Sequence, residues 1–175
     1  MSNSIFYHKY IKYKNKYNIL KGGNPKKIGF DFDGVIHKNV GPDNYKDSRK
    51  PSDNPTLEHR FDEIHNKIFD YSHKNNIYII TGRGRRGPIF DYLSICCIKE
   101  DIIPKVNVRA LGGCGDKVNT AIELRLDEFY EDSTSEIRNF INKKCEILAV
   151  NPNFRLFQVF PENSGREGAI QEIFL

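Results

Sequence analysis

A mixed α/β fold, with a central parallel sheet covered by helices on both faces, follows from three features of the sequence. Short apolar runs of strand length alternate with helical patterns over most of the chain. Those runs are nearly continuous in apolar residues, as strands buried on both faces must be. Three of them, IGFDFD, YIIT and FYED, deliver polar residues at their carboxyl ends, where ligands collect in such sheets.

The elements follow in order. Residues 1–24 form a basic Tyr/Lys-rich segment in which Phe6, Tyr10, Tyr13, Tyr17 and Leu20 recur at helical spacing, with Gly22-Gly23 as a C-cap. Residues 25–175 form the second unit, a single domain large enough to bury a core. It opens with a strand over Lys27–Phe32, and the Pro-, Asp- and Asn-rich residues 38–55 read as a long loop. A helix from Asn54-Pro55 would place Leu57, Phe61, Ile64 and Ile68 on one face. Asn76–Thr81 is a second buried strand, broken by Gly82-Arg83-Gly84. A helix over 88–99 and a short strand over Val106–Leu111 come next. After the turn Gly112-Gly113-Cys114-Gly115, Asp116 caps a helix carrying Val118, Ile122 and Leu126. Glu128–Glu131 is a strand, Ser133-Thr-Ser-Glu136 fits a capping box, and Cys145–Val150 and Phe154–Phe160 read as the last strands.

Composition narrows the function classes. At 38% hydrophobic and 29% charged residues the chain reads as soluble, and no run is long enough to cross a bilayer. The start of the chain lacks the apolar stretch of a signal peptide. The four cysteines, Cys96, Cys97, Cys114 and Cys145, form no CxxC and read as buried reduced thiols, which implies an intracellular, reducing location. A net charge of +4 permits an anionic partner such as nucleic acid without demanding one. The sequence leaves the oligomeric state open.

The stretch IGFDFDGVI is the most informative. Along a strand, Asp31 and Asp33 point the same way and Phe32 the opposite way. Two carboxylates held on one side repel each other and lose hydration, so folding gains nothing from them there. A hard divalent cation with oxygen ligands would offset that cost.

Read in order, Asp31-Phe-Asp33-Gly34 after an apolar strand, a strand ending in Thr81, Lys117 at a helix start and a strand ending in Glu131-Asp132 resemble the haloacid dehalogenase superfamily of phosphotransferases. The resemblance covers about residues 27–135 and implies a Rossmann-like three-layer sandwich with a central, mostly parallel sheet. It further implies a phosphatase that forms an aspartyl-phosphate on Asp31, with Asp33 as general acid and base. Thr81 and the Gly82 N–H would hold a phosphoryl oxygen, and Lys117 would balance the charge there. The implied cofactor is Mg2+, held by the Asp31 carboxylate, the Asp33 carbonyl and Asp132, with Glu131 as the competing or supporting acid. Val35 departs from the threonine common after the first motif. Receiver domains of two-component signalling also join aspartates, Thr or Ser and Lys around magnesium, but there the Lys follows the last acid; here Lys117 precedes it.

In this superfamily inserted caps usually select the substrate, and the spacings on either side of Thr81 leave room for a minimal cap only. The implied site is open and admits bulky substrates such as nucleic-acid ends or phosphoproteins, with a nucleotide or a nucleic-acid end the preferred reading. Arg83, Arg85 and Arg86 lie on a glycine-rich loop at its rim and could reach phosphates; the plainer reading is an ion pair for Arg83 and solvation for the others. Thr81-Gly82-Arg83 also resembles the phosphatase domain of polynucleotide kinase–phosphatases, and the leader resembles Tyr/Lys-rich leaders of large DNA virus proteins. His37 could touch substrate, although a lone His is more often a surface or capping residue. The alternative function is a catalytically silent module that binds phosphate or nucleic acid.

Overall fold

The computed structural model describes residues 24–38, 60–113, 116–160 and 169–175. The leader helix, the loop over 38–55 beyond residue 38, and the start of the helix near Asn54 lie outside these residues. Among these residues six strands make one sheet: β1 (Lys27–Phe30), β2 (Asn76–Thr81), β3 (Val108–Ala110), β4 (Glu128–Glu131), β5 (Arg155–Val159) and β6 (Ile170–Ile173). Their order is β3-β2-β1-β4-β5-β6, parallel throughout except for antiparallel β6. This is the order of doubly wound sheets, whose direction of winding reverses between β1 and β4.

Among the described residues five α-helices cover the faces: α1 (Asp62–Ser72), α2 (Gly87–Ile95), α3 (Lys117–Leu124), α4 (Thr134–Asn142) and α5 (Lys144–Val150). Strand alternation divides the core in two. Phe30, Ile79, Tyr130 and Phe157 pack with Ile64 and Ile68 of α1 and with Tyr92 and Leu93 of α2. Ile80, Phe129 and Leu156 pack with Val118, Ile137, Phe140 and Ile147 from α3 to α5. On the first face Phe30, Tyr130 and Phe157 are in register across β1, β4 and β5. Their rings stack at 4.6 Å in both steps. Each such pair adds about 0.5–1.5 kcal/mol beyond its buried area, and together they clamp the strands just before their acidic ends. On the other face Gly29 has no side chain because a Cβ would meet Leu126 Cδ1 and Phe129 Cδ2 at 2.6 Å.

Several expected elements differ. β1 ends at Phe30 rather than Phe32, because residues 32–37 fold into a tight turn in which the Ile36 and His37 N–H groups both donate to the Phe32 carbonyl. The alternation that would place Asp31 and Asp33 on one side therefore does not apply. The run Cys145–Val150 is helix α5, not a strand; only Ile147 is buried in it, and Glu, Leu and Ala favour helix where a short apolar run is ambiguous. The β6 edge strand had no sequence signal, since Ile170–Ile173 reads IQEI. Of the thiols, Cys96 is buried whereas Cys97 and Cys145 are exposed, and all three are free. No helix among the described residues is long and apolar enough to cross a membrane.

Candidate functional site

β1 and β4 are adjacent, and the Asp31 N–H continues their ladder by donating to the Tyr130 carbonyl at 2.9 Å. Their carboxyl ends therefore bring Asp31 beside Glu131 and Asp132. One oxygen from each of the three carboxylates lies within 4.8 Å of the others. Lys117, the first residue of α3, reaches into the group from the neighbouring layer. Its Nζ is 2.9 Å from Asp31 Oδ2 and 2.8 Å from Glu131 Oε2. The helix start that aims it is held by Asp116, whose side chain accepts from the Asn119 N–H and pairs with Lys143.

The three acids differ in how they are satisfied. Glu131 is fully buried and accepts from Lys117 through one oxygen and from the Asp132 and Ser133 N–H groups through the other, at 3.1 and 3.0 Å. Asp31 Oδ1 is buried without a hydrogen-bond partner, a costly state for a carboxylate oxygen. Asp132 lies against Gly34, where an added Cβ would collide with its carboxylate. Gly34 also has φ +81°, so both the turn and the seat of Asp132 require glycine.

Burial and mutual repulsion raise the carboxyl groups. Asp31 is pushed up by desolvation and then by Glu131, against the pull of Lys117. Desolvation also lifts Glu131, and with Asp31 it lifts Asp132 to about 6. Burial opposes the charge on Lys117, but Asp31 and Glu131 outweigh it and hold the ammonium protonated. One lysine thus faces three acids, one of which has an unpartnered oxygen. All-oxygen donors with a net negative charge suit a hard divalent cation.

Asp33 stands apart from that group. Its carboxylate is gripped in a fork by Arg83, from Nε at 2.7 Å and Nη2 at 2.5 Å. The guanidinium also lies 5.0 Å from the centre of the Phe32 ring. Arg83 thus makes an ion pair, and its own N–H donates to Thr81 Oγ1 at 3.2 Å. Thr81 is buried at the end of β2, while Gly82, Arg85 and Arg86 are exposed on the loop beyond it. His37 is buried rather than on the surface, stacked on Phe32 and edge-on to Tyr92. Sequence reasoning offered an ion pair for Arg83 without naming Asp33 as its partner, and it missed the packing of Gly34 on Asp132. The DxDG spacing was the only available signal for the latter.

Fold and site together define a doubly wound α/β protein with a buried acid–lysine centre at the point where the winding reverses. No protein-family model matches the chain. It is similar to an uncharacterised protein of Acanthamoeba polyphaga mimivirus, with 33% identity over 143 residues. That match covers 79% of this chain but 28% of the viral protein, so the chain spans little more than a quarter of its relative's length. The viral source of the relative accords with the resemblance of the leader to those of large DNA viruses.

Proposed function

We propose that the protein is a phosphomonoester hydrolase of the haloacid dehalogenase type, acting through an aspartyl-phosphate. The observation that carries this reading is the Asp31 carboxylate: one oxygen is held by Lys117 and the other is buried without a partner. No donor engages that oxygen, so once substrate displaces the atoms that cover it, it attacks phosphorus, forming the Asp31–phosphorus bond while the bond to the leaving oxygen breaks. Asp33 protonates the leaving oxygen, then takes a proton from the water that cleaves the acyl phosphate and regenerates Asp31. Both steps need Asp33 released from Arg83, to which a bound phosphoryl anion offers an alternative partner; the freed carboxylate takes a proton from solvent, gives it to the leaving oxygen, and is then the base for the attacking water. Thr81 and the open Gly82 N–H orient the phosphoryl oxygens, and Lys117 holds its charge opposite them.

The donor set fits magnesium, with Asp31, the Asp33 carbonyl and Asp132 as ligands. Glu131 is already committed to Lys117 and two backbone N–H groups, so it positions the lysine and the Asp132 backbone. When bound, the cation offsets the repulsion between carboxylate and phosphate. Purified protein should release phosphate from an aryl phosphate with magnesium, lose that activity in EDTA, and lose it in Asp31→Asn. Substantial turnover by the last variant excludes the covalent route.

The second reading, a silent module that binds phosphate or nucleic acid, draws support from the fork that occupies Asp33. It predicts phosphate-dependent binding with no release of phosphate from any ester.

A further inference from the structure

A cleft of about 330 Å³ opens between β3 and α3, lined by Arg86, Arg109, Leu111, Thr120 and Glu123 among others. Three features tie it to the acid–lysine centre. Ala110, on its wall, is in register with Thr81, and the Leu111 N–H donates to the Thr81 carbonyl at 2.9 Å. The cleft therefore starts one strand spacing, about 5 Å, from Thr81. On the opposite wall Thr120 is one helical turn after Lys117, about 4.5 Å along the axis. The Gly82 and Gly113 ends of the two loops are closed together by a 2.6 Å hydrogen bond, so the rim is continuous from site to cleft.

Its lining carries two arginines against one acid. Arg109 alternates with core residue Val108, which turns it to the α3 side of the sheet, and it is half-buried. Arg86 stands at the N-terminal end of α2. Neither arginine has an ion-pair partner among the described residues, as is also true of Arg85, Arg125 and Arg138, whereas Arg60, Arg83 and Arg155 are each paired with an acid; what sets Arg86 and Arg109 apart is that they line one cleft. Glu123 is the only acid among the lining residues. Unpaired guanidinium groups in a concave site suit a phosphate, which they can hold through two parallel N–H donors.

We infer that this cleft is a second anion subsite, which takes the phosphate next to the one hydrolysed and so selects a phosphorylated nucleic-acid end or a nucleoside bisphosphate over a simple monoester. The inference rests on the phosphatase reading of the neighbouring centre. A nucleic-acid strand carries a charge about every 3.4 Å of rise, so a chain leaving the centre through the shared rim presents its next phosphate to Arg86 and Arg109.

The test has two readouts. The first is kcat/KM, with magnesium, on a terminally phosphorylated oligonucleotide, a nucleoside 3′,5′-bisphosphate and an aryl phosphate, expressed as the ratio of each nucleotide to the aryl ester. Arg109→Gln and Arg86→Gln should each lower that ratio about tenfold or more. Glu123→Gln should raise it about twofold, a gain that misfolding cannot imitate. A fall for the oligonucleotide alone identifies the strand end as the ligand; an equal fall for the bisphosphate identifies the bare second phosphate. Ratios unchanged in both arginine variants overturn the subsite and leave the phosphatase standing. The second readout is fluorescence anisotropy of a labelled phosphorylated oligonucleotide. If the protein hydrolyses no ester, the phosphatase reading fails, and a tenfold weaker affinity in Arg109→Gln still upholds the subsite. Affinity equal to that of the unsubstituted protein overturns it.

Discussion

The two ends of β1 and β4 carry much the same chemistry and use it differently. At the amino ends, Glu128 is buried, yet both its oxygens have donors: Lys26 at 2.9 Å and the Tyr130 hydroxyl at 3.3 Å. Asp127 beside it accepts from the Lys27 N–H and from Asn151 Nδ2. At the carboxyl ends three acids share one lysine, and Asp31 keeps a buried oxygen without a partner. Satisfied charges at one end fasten the sheet; unsatisfied charges at the other form a site that a cation and a phosphate would complete. Substitutions at the carboxyl end should therefore abolish activity with little loss of stability, and those at the amino end should do the reverse.

The largest effect is expected at Asp31. Asp31→Asn should lower kcat on an aryl phosphate by about 10⁴-fold or more, the scale of removing a covalent nucleophile. Because it also removes a crowded negative charge, the metal-free variant should melt no lower than the unsubstituted protein. A calorimetric midpoint several degrees lower would instead make Asp31 a structural ion-pair residue like Glu128.

Asp33→Asn comes next, with kcat lowered about 10²–10⁴-fold, the usual contribution of a general acid and base. Its fork with Arg83 is partly open to solvent, so breaking it should cost no more than about 1 kcal/mol of unfolding free energy in urea. Gly34→Ala acts on the same end from behind. It strains a residue at φ +81° and drives a methyl group into the Asp132 carboxylate. Magnesium affinity measured by titration calorimetry should weaken about tenfold or more, as when the support of a ligand is lost.

Glu128→Ala tests the opposite end. Loss of a buried acid with several donors should lower stability by about 1–3 kcal/mol, read as a lower urea midpoint, while kcat changes less than about twofold. A comparable fall in kcat would mean that the two ends are not independent.

The sequence made the carboxyl end more legible than its surroundings, for a physical reason. Strand β2 is a continuous apolar run with polar ends and β4 an aromatic pair between two glutamates, and Asn76–Thr81 and Glu128–Glu131 could be placed to the residue. Asp116 and Ser133 announce the helices they cap. In a parallel sheet, carboxyl ends fall on one edge, which is enough to bring Asp31, Lys117 and Glu131 together. What stayed hidden depends on register and packing. Arg83 could as well have reached a substrate phosphate as paired with an acid, and Arg109 became a cleft residue only through the pairing of β2 with β3. Lys144–Val150 and Ile170–Ile173 carry patterns too short to distinguish helix, strand and loop.

The smallest expected effect separates the two ends by pH. Asp132 has its carboxyl group raised from 3.8 to about 6, by desolvation first and by Asp31 next. An acid raised on folding contributes stability that is complete below the unfolded value and is lost as pH rises through the folded one, because the native state holds the proton longer. The metal-free protein should therefore lose stability between about pH 4 and 6 relative to Asp132→Asn, by a few degrees in melting midpoint. Subtracting the variant removes the opposing contribution of His65, whose ring burial holds below its usual value and whose stability is lost toward acid. Magnesium binds the ionised carboxylates, so saturating cation should reverse the slope, with the gain appearing as pH rises through 6. A difference curve that is flat with and without the cation would show that the acids at this end are as well satisfied as Glu128.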